Sequence, residues 1–235
     1  MIGGRLACFS ALRVVLGFGA AIAGTAACAP HHEPFDGRVA PAPRPFDGGL
    51  DAGDLVITDS DGTDGGCPER TIFLPTPSDT HVAVGTPLAY ETMPPVGGDH
   101  YPMWAAFRSY EQPLDPGYLV HALEHGAVVL WYRCTSRDAC PGLASELESF
   151  VASLPDDPLC AGMFGGARRR MIVVPEPNLL TVVAASSWGH GWASDCVDTS
   201  RLRAFVDAHY DRATESTCAP GIVPSTSIPN ERRVC

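Results

Sequence analysis

Leu119-Val-His121-Ala-Leu123-Glu124-His125-Gly126-Ala127-Val128-Val129-Leu130-Trp131-Tyr132 is the run on which the fold class turns. Leu119 to His125 suits one or two helical turns, Gly126 breaks them, and Ala127 to Tyr132 is apolar at every position. A strand with no polar face must be covered on both sides, so this segment reads as a buried strand inside a sheet. Beyond it, Leu143, Leu147, Phe150, Val151 and Leu154 recur at helical spacing among Ser145, Glu146, Glu148 and Ser149, which predicts an amphipathic helix from just after Cys140 to about Pro155. Met171 to Val174 and Thr181 to Ala185 read as two strands of a hairpin across Pro175-Glu176-Pro177-Asn178. A last helix, about Thr199 to Tyr210, places Leu202, Phe205, Val206 and His209 on one face, capped by Asp198 or Thr199.

Upstream of the quoted run, residues 67 to 116 are punctuated by Pro75, Pro77, Pro87, Pro94, Pro95, Pro102, Pro113 and Pro116. Apart from a short alternating piece at His81 to Val84, they read as a long ordered loop, of the kind that forms binding loops or lids or else hides a misread element. Gly97 and Gly98 precede Asp99, His100, Tyr101 and Trp104, a tight turn presenting polar groups beside aromatic anchors. The expected fold is therefore α+β: a mixed or antiparallel sheet, two main helices packed on one face, and a long ordered N-terminal loop region. No internal repeat with a period of roughly 20 to 50 residues is visible.

The 235 residues fit one globular domain with attachments, here expected at residues 67–235. Net charge is -11 and there is no lysine, which excludes Schiff-base chemistry and a lysine phosphate loop; an acidic chain without a basic stripe also argues against nucleic acid. Residues 1–27 carry Arg5 and Arg13, an apolar run from Val14 to Gly24 too short to span a membrane, and the small residues Thr25, Ala26 and Ala27. With Cys28 next, this layout resembles the lipobox of bacterial lipoproteins, although Thr25 stands where leucine is usual. Lipidation of Cys28 and tethering at the cell envelope is the expectation; cleavage at a small-x-small site with plain secretion is the alternative, and an uncleaved anchor a third.

Residues 28–66 hold five prolines, seven glycines and seven aspartates, and repeat Pro-Phe-Asp-Gly at Pro34 and Pro45, a composition expected to form a disordered acidic tether. Asp59, Asp61 and Asp64 hint at a calcium loop, but the position requiring a bidentate glutamate is Arg70. After Cys8 and Cys28, seven cysteines remain: Cys67, Cys134, Cys140, Cys160, Cys196, Cys218 and Cys235. They contain no C-x-x-C pair, so up to three disulfides are expected, Cys134 with Cys140 being the best local pair. The triplet Arg168 to Arg170 reads as a solvated turn, with anionic headgroups as the other reading.

His121-Ala-Leu-Glu124-His125 is the densest chemical constellation. In a helix His121 and His125 project from one face, as metal-binding imidazoles do. The string matches H-x-x-E-H, the inverted zinc-peptidase motif with glutamate as base, so a zinc-dependent hydrolase is one alternative. Gly126 ends the helix at once and the chain is short for such peptidases, so an enzyme is the less favoured reading.

Pro94-Pro95-Val-Gly97-Gly98-Asp-His100-Tyr101-Pro102-x-Trp104, then Tyr110 and Pro113, then Val120-His121-Ala-Leu123-Glu124-His125-Gly126-Ala-Val128, and finally Ala184 to Gly189, together resemble the bacterial family called domain of unknown function 3105, from about His81 to Tyr210. Gly97 replaces a serine usual in the first motif, removing any hydroxyl role there. The resemblance implies an exported or membrane-tethered domain and brings no activity. From the residues themselves, His100, His121 and His125, with His81 or Glu124 as a fourth donor, form a candidate transition-metal site. Met93 and Met103 bracket His100, and His100 with Met103 is an imidazole and thioether mixture that suits copper; copper or zinc is the expected ion. The opposing reading is a structural or protein-interaction lipoprotein in which these groups are core histidines and Trp104 and Trp188 plain core. His190, beside Trp188-Gly189, is a weaker candidate.

Overall fold

A computed structural model describes residues 55–63, 66–163 and 166–225. The leader, Cys28, most of the proposed tether, Asp64 and Cys235 lie outside the described residues.

Three strands adjoin or include the segments read from sequence: β3 (Val128–Tyr132), β4 (Met171–Pro175) and β5 (Val183–Ser187). Three more complete a six-stranded sheet: β1 (Val56–Ser60), β2 (Glu69–Phe73) and β6 (His190–Ser194), in the order β1-β2-β6-β5-β3-β4. The sheet is mixed, since β3 pairs parallel with β4 and antiparallel with β5. The expected hairpin between β4 and β5 is overturned, because β3 lies between them. All five residues of each strand are buried, so neither can sit at an open margin of a two-stranded unit. Residues 176–182 instead cross the end of β3, where Glu176 N–H donates to Tyr132 O and Arg133 N–H to Val182 O. The true hairpin joins β5 to β6 through Gly189, whose φ of 75° is a conformation open to glycine at little cost.

The sheet also corrects the domain boundary. Val56–Ser60, assigned by composition to the tether, pairs in full register with β2, so the folded part begins before Cys67. The long loop contains β2, an internal bridge between His81 and His100, and bridges from Ala105 to Ile222 and from Ser109 to Val173.

The helices are α1 (Pro116–Glu124), α2 (Pro141–Ser153), α3 (Pro158–Ala161) and α4 (Thr199–His209). The two main helices, α2 and α4, share one sheet face. Ala144, Leu147 and Phe150 of α2 and Leu202, Phe205 and Val206 of α4 join Val128, Leu130, Tyr132, Met171 and Trp192 in one apolar cluster. The opposite face, with Val129, Trp131, Ile172, Val174 and Ala184, is covered by α1 through Leu119, Val120 and Leu123, and by loop residues Ala105, Phe107, Tyr110 and Leu114. Asp198 caps α4, accepting from the Ser200 and Arg201 amides. The outer edge of β4 is not open: Tyr110 N–H donates to Val173 O, and Val173 N–H to Arg108 O.

Cysteines pair as Cys134–Cys140, Cys67–Cys196 and Cys160–Cys218, with Cα separations of 6.2, 6.0 and 5.0 Å. The first closes the link between β3 and α2, the second ties the loop before β2 to the end of β6, and the third holds the segment after α4 against α3.

Candidate metal centre

Helix α1 aims the cluster. Asp115 caps it by accepting from Gly117 N–H at 2.9 Å, Pro116 occupies the first turn, and Gly126, with φ of 82°, ends it. A side chain at Gly126 would meet Arg170 Nη1 at 2.8 Å and Asp211 Cα at 3.1 Å. One face of this short helix therefore delivers His121, Glu124 and His125, all at most 5% exposed. The loop delivers the other two histidines: the 81–100 bridge sets His81 beside His100, with Val82 N–H donating to His100 O and His100 N–H to Thr80 O.

One nitrogen or oxygen from each of His81, His100, His121 and Glu124 lies within 4.8 Å of the other three, and this group could hold a metal ion. Two of its histidines are oriented from behind. His100 Nδ1–H donates to Gly98 O at 2.8 Å, and His121 Nδ1–H donates to Tyr101 O. A carbonyl can only accept, so each Nδ1 carries the proton; in a neutral ring Nε2 is then the acceptor, set against Glu124 in His100 and against His125 Nε2 in His121. Glu124 Oε2 then lies 3.0 Å from His100 Nε2 and 3.8 Å from His81 Nε2. A bare imidazole nitrogen and a carboxylate oxygen are both acceptors, so this buried contact is relieved only by a proton or a cation between them.

His125 stands outside that group. Its Nε2 lies 3.1 Å from His121 Nε2 and 3.0 Å from Glu215 Oε2, its Nδ1 is buried without a hydrogen-bond partner, and its ring lies 4.2 Å from that of Trp104. Of the candidates read from sequence, His81, His100, His121 and Glu124 fall together in this group, and His125 lies beside it. The peptidase motif needs both helix histidines as ligands and the glutamate as base; here Glu124 is itself one of the four donors. Met103 is 39% exposed and Met93 packs against the core. His190 is elsewhere, at the β5–β6 turn, its ring stacked 4.2 Å from His209.

Sequence reading missed the support beneath α1. Arg170 is 1% exposed, and its guanidinium donates to Asp157 Oδ2 at 2.9 and 3.1 Å, Asp211 Oδ1 at 2.7 Å, Ser216 Oγ at 3.1 Å and His125 O at 3.1 Å. Tyr210 OH donates to the same Asp157 oxygen at 2.6 Å. Arg169 donates to the carbonyls of Val151, Leu154 and Pro155 at the end of α2. The reading of the triplet as a solvated turn or a headgroup contact is thus corrected: only Arg168 is exposed. The available signal was three consecutive arginines directly before a strand in a lysine-free chain.

Burial pushes both His121 and His125 down to about 4; neighbouring imidazoles add to this in each, and Arg170 adds to it at His125. In the unfolded chain both titrate near about 6.5. Between those values the unfolded chain binds more protons, so stability is complete above about pH 6.5 and falls as pH drops toward 4. At its steepest the loss is roughly 2 kcal/mol per pH unit. Thermal melts of chelator-treated protein should show a clearly lower Tm at pH 5 than at pH 7.5; an unchanged Tm would contradict neutral burial of these rings.

An α+β domain with a buried histidine–carboxylate group behind a loop is the class that fold and site define. The chain belongs to the family described as protein of unknown function (DUF3105), whose profile matches residues 81–221. That span includes all four donors, Arg170 and Glu215. No curated protein and no solved structure matches the chain.

Proposed function

We propose that the protein is an exported, lipid-anchored bacterial domain that binds one transition-metal ion, zinc or copper(II), through His81, His100, His121 and Glu124. The observation that carries this reading is the convergence of donor atoms from His81, His100, His121 and Glu124 to within 4.8 Å of one another, with the His100 and His121 rings oriented by Nδ1–H bonds to the Gly98 and Tyr101 carbonyls. Metal-ligating histidines are oriented in this way, and a core histidine needs no such convergence. The donor set is nitrogen and oxygen without thioether or thiolate, which suits zinc or copper(II) rather than copper(I). Metal–ligand bonds of about 2.0–2.2 Å place tetrahedral ligand atoms about 3.4 Å apart, so a group already within 4.8 Å closes by small side-chain shifts.

The leader, Cys28 and the cysteine pairs support an oxidising envelope location, with the membrane as partner through the lipid. Mass spectrometry of the N-terminal peptide tests this part: a diacylglycerol adduct on Cys28 is expected, and an unmodified N-terminus means plain secretion.

Variants test the ligand set. His100→Ala and Glu124→Gln should each weaken metal affinity at least tenfold, while His125→Ala, outside the group, retains the ion. Equal loss in all three, with folding intact by circular dichroism, would overturn this assignment.

A further inference from the structure

The four donors are not held alike. His100 is fully buried, and His121 and Glu124 are about 5% exposed; the His81 side chain is 47% exposed. His100 and His121 each have a backbone carbonyl behind them, whereas neither ring nitrogen of His81 has a hydrogen bond among the described residues. The His81 ring instead rests against its neighbours, 4.6 Å from His100 and 4.7 Å from His121, and reaches Glu124 only at 3.8 Å. Its backbone is held by a single bridge within the 74–115 loop, not by a helix or an extended ladder.

We infer that His81 is the exchange ligand of the centre: the donor that an incoming monodentate ligand from solution displaces, and the position through which metal enters and leaves. This rests on the metal reading above and adds the route of exchange. Ligand substitution needs a donor that can leave and space for another to arrive. His100 cannot swing out, because its ring is enclosed and tied to Gly98, and His121 is fixed by α1 and Tyr101. His81 alone meets solvent, and displacing it breaks no hydrogen bond. The incoming ligand is a neutral nitrogen donor of the imidazole class, the like-for-like replacement for the His81 ring. In the exchange one nitrogen lone pair replaces another on the ion, so charge and electron count are unchanged.

Cobalt(II), a spectroscopic substitute for zinc, reads this directly. The full chain and its His81→Ala, His100→Ala and His121→Ala variants are loaded with cobalt(II), and the visible spectrum is followed during titration with free imidazole. His81→Ala should fold, keep cobalt with a changed spectrum, and recover the wild-type spectrum with imidazole at a concentration at least about tenfold below that which perturbs wild type. The enclosed variants should show no recovery. Cobalt in the wild type without recovery in His81→Ala, or equal recovery in His100→Ala, overturns the exchange role and leaves the metal reading standing. No cobalt, zinc or copper in the wild type overturns both. Should the enclosed variants fail to fold, the His81→Ala titration decides alone.

Discussion

Arg170→Met lowers the unfolding free energy by about 3–5 kcal/mol, the usual cost of removing one partner of a buried ion pair. The methionine fills much of the volume, so the loss comes from the charges left behind. Asp157, 8% exposed, loses both guanidinium contacts, and the carbonyl of His125 loses its donor at the end of α1. Asp211, whose carboxyl the Arg170 hydrogen bond holds below the usual carboxylate range, loses its partner as well. Arg168→Met is the internal control: that side chain is 73% exposed, and an exposed pair contributes about 0–1 kcal/mol. Urea unfolding should move the midpoint strongly for Arg170→Met, with its slope unchanged, and hardly at all for Arg168→Met. Equal midpoints in the two variants would mean that the clamp beneath the site does not hold the fold.

Metal binding should itself be a large stability term. At a free zinc concentration about a thousandfold above its dissociation constant, an ion that binds only the folded chain adds about 4 kcal/mol. For a domain of this size that corresponds to a Tm rise of about 8–16 °C. Calorimetry of the chelated chain with and without zinc at pH 7.5 measures the effect; a Tm indifferent to zinc would contradict the reading.

What the sequence disclosed, and what it hid, follows from the physics of each segment. Ala127 to Tyr132 was legible because a strand buried on both faces admits no polar residue, and the helices because α2 and α4 each carry an apolar stripe. β1 was hidden: Val-Ile-Thr-Asp-Ser at the sheet edge is mostly exposed, so its composition resembles the tether before it. β6 was hidden too, since His-Gly-Trp-Ala-Ser shows no apolar alternation. The β4–β5 hairpin failed because a turn-like link says which strands follow each other, not which strand lies between them. At the site, the helical spacing found His121, Glu124 and His125 together, but spacing alone cannot tell which of the two helix histidines turns toward the loop. Tyr101 O and Glu215 decide that, and both come from other parts of the chain. Arg170 was read as surface because the acids that bury it, Asp157 and Asp211, lie 13 and 41 residues away.

The central claim is best tested by the metal content of the full chain, exported in a bacterial host and purified without chelator, with zinc and copper quantified against protein by elemental analysis. The account predicts close to one ion per chain, retained through dialysis at pH 7.5. A chain that is folded and disulfide-bonded yet carries no metal, even after incubation with both ions, would contradict it and make the four convergent donors a structural cluster.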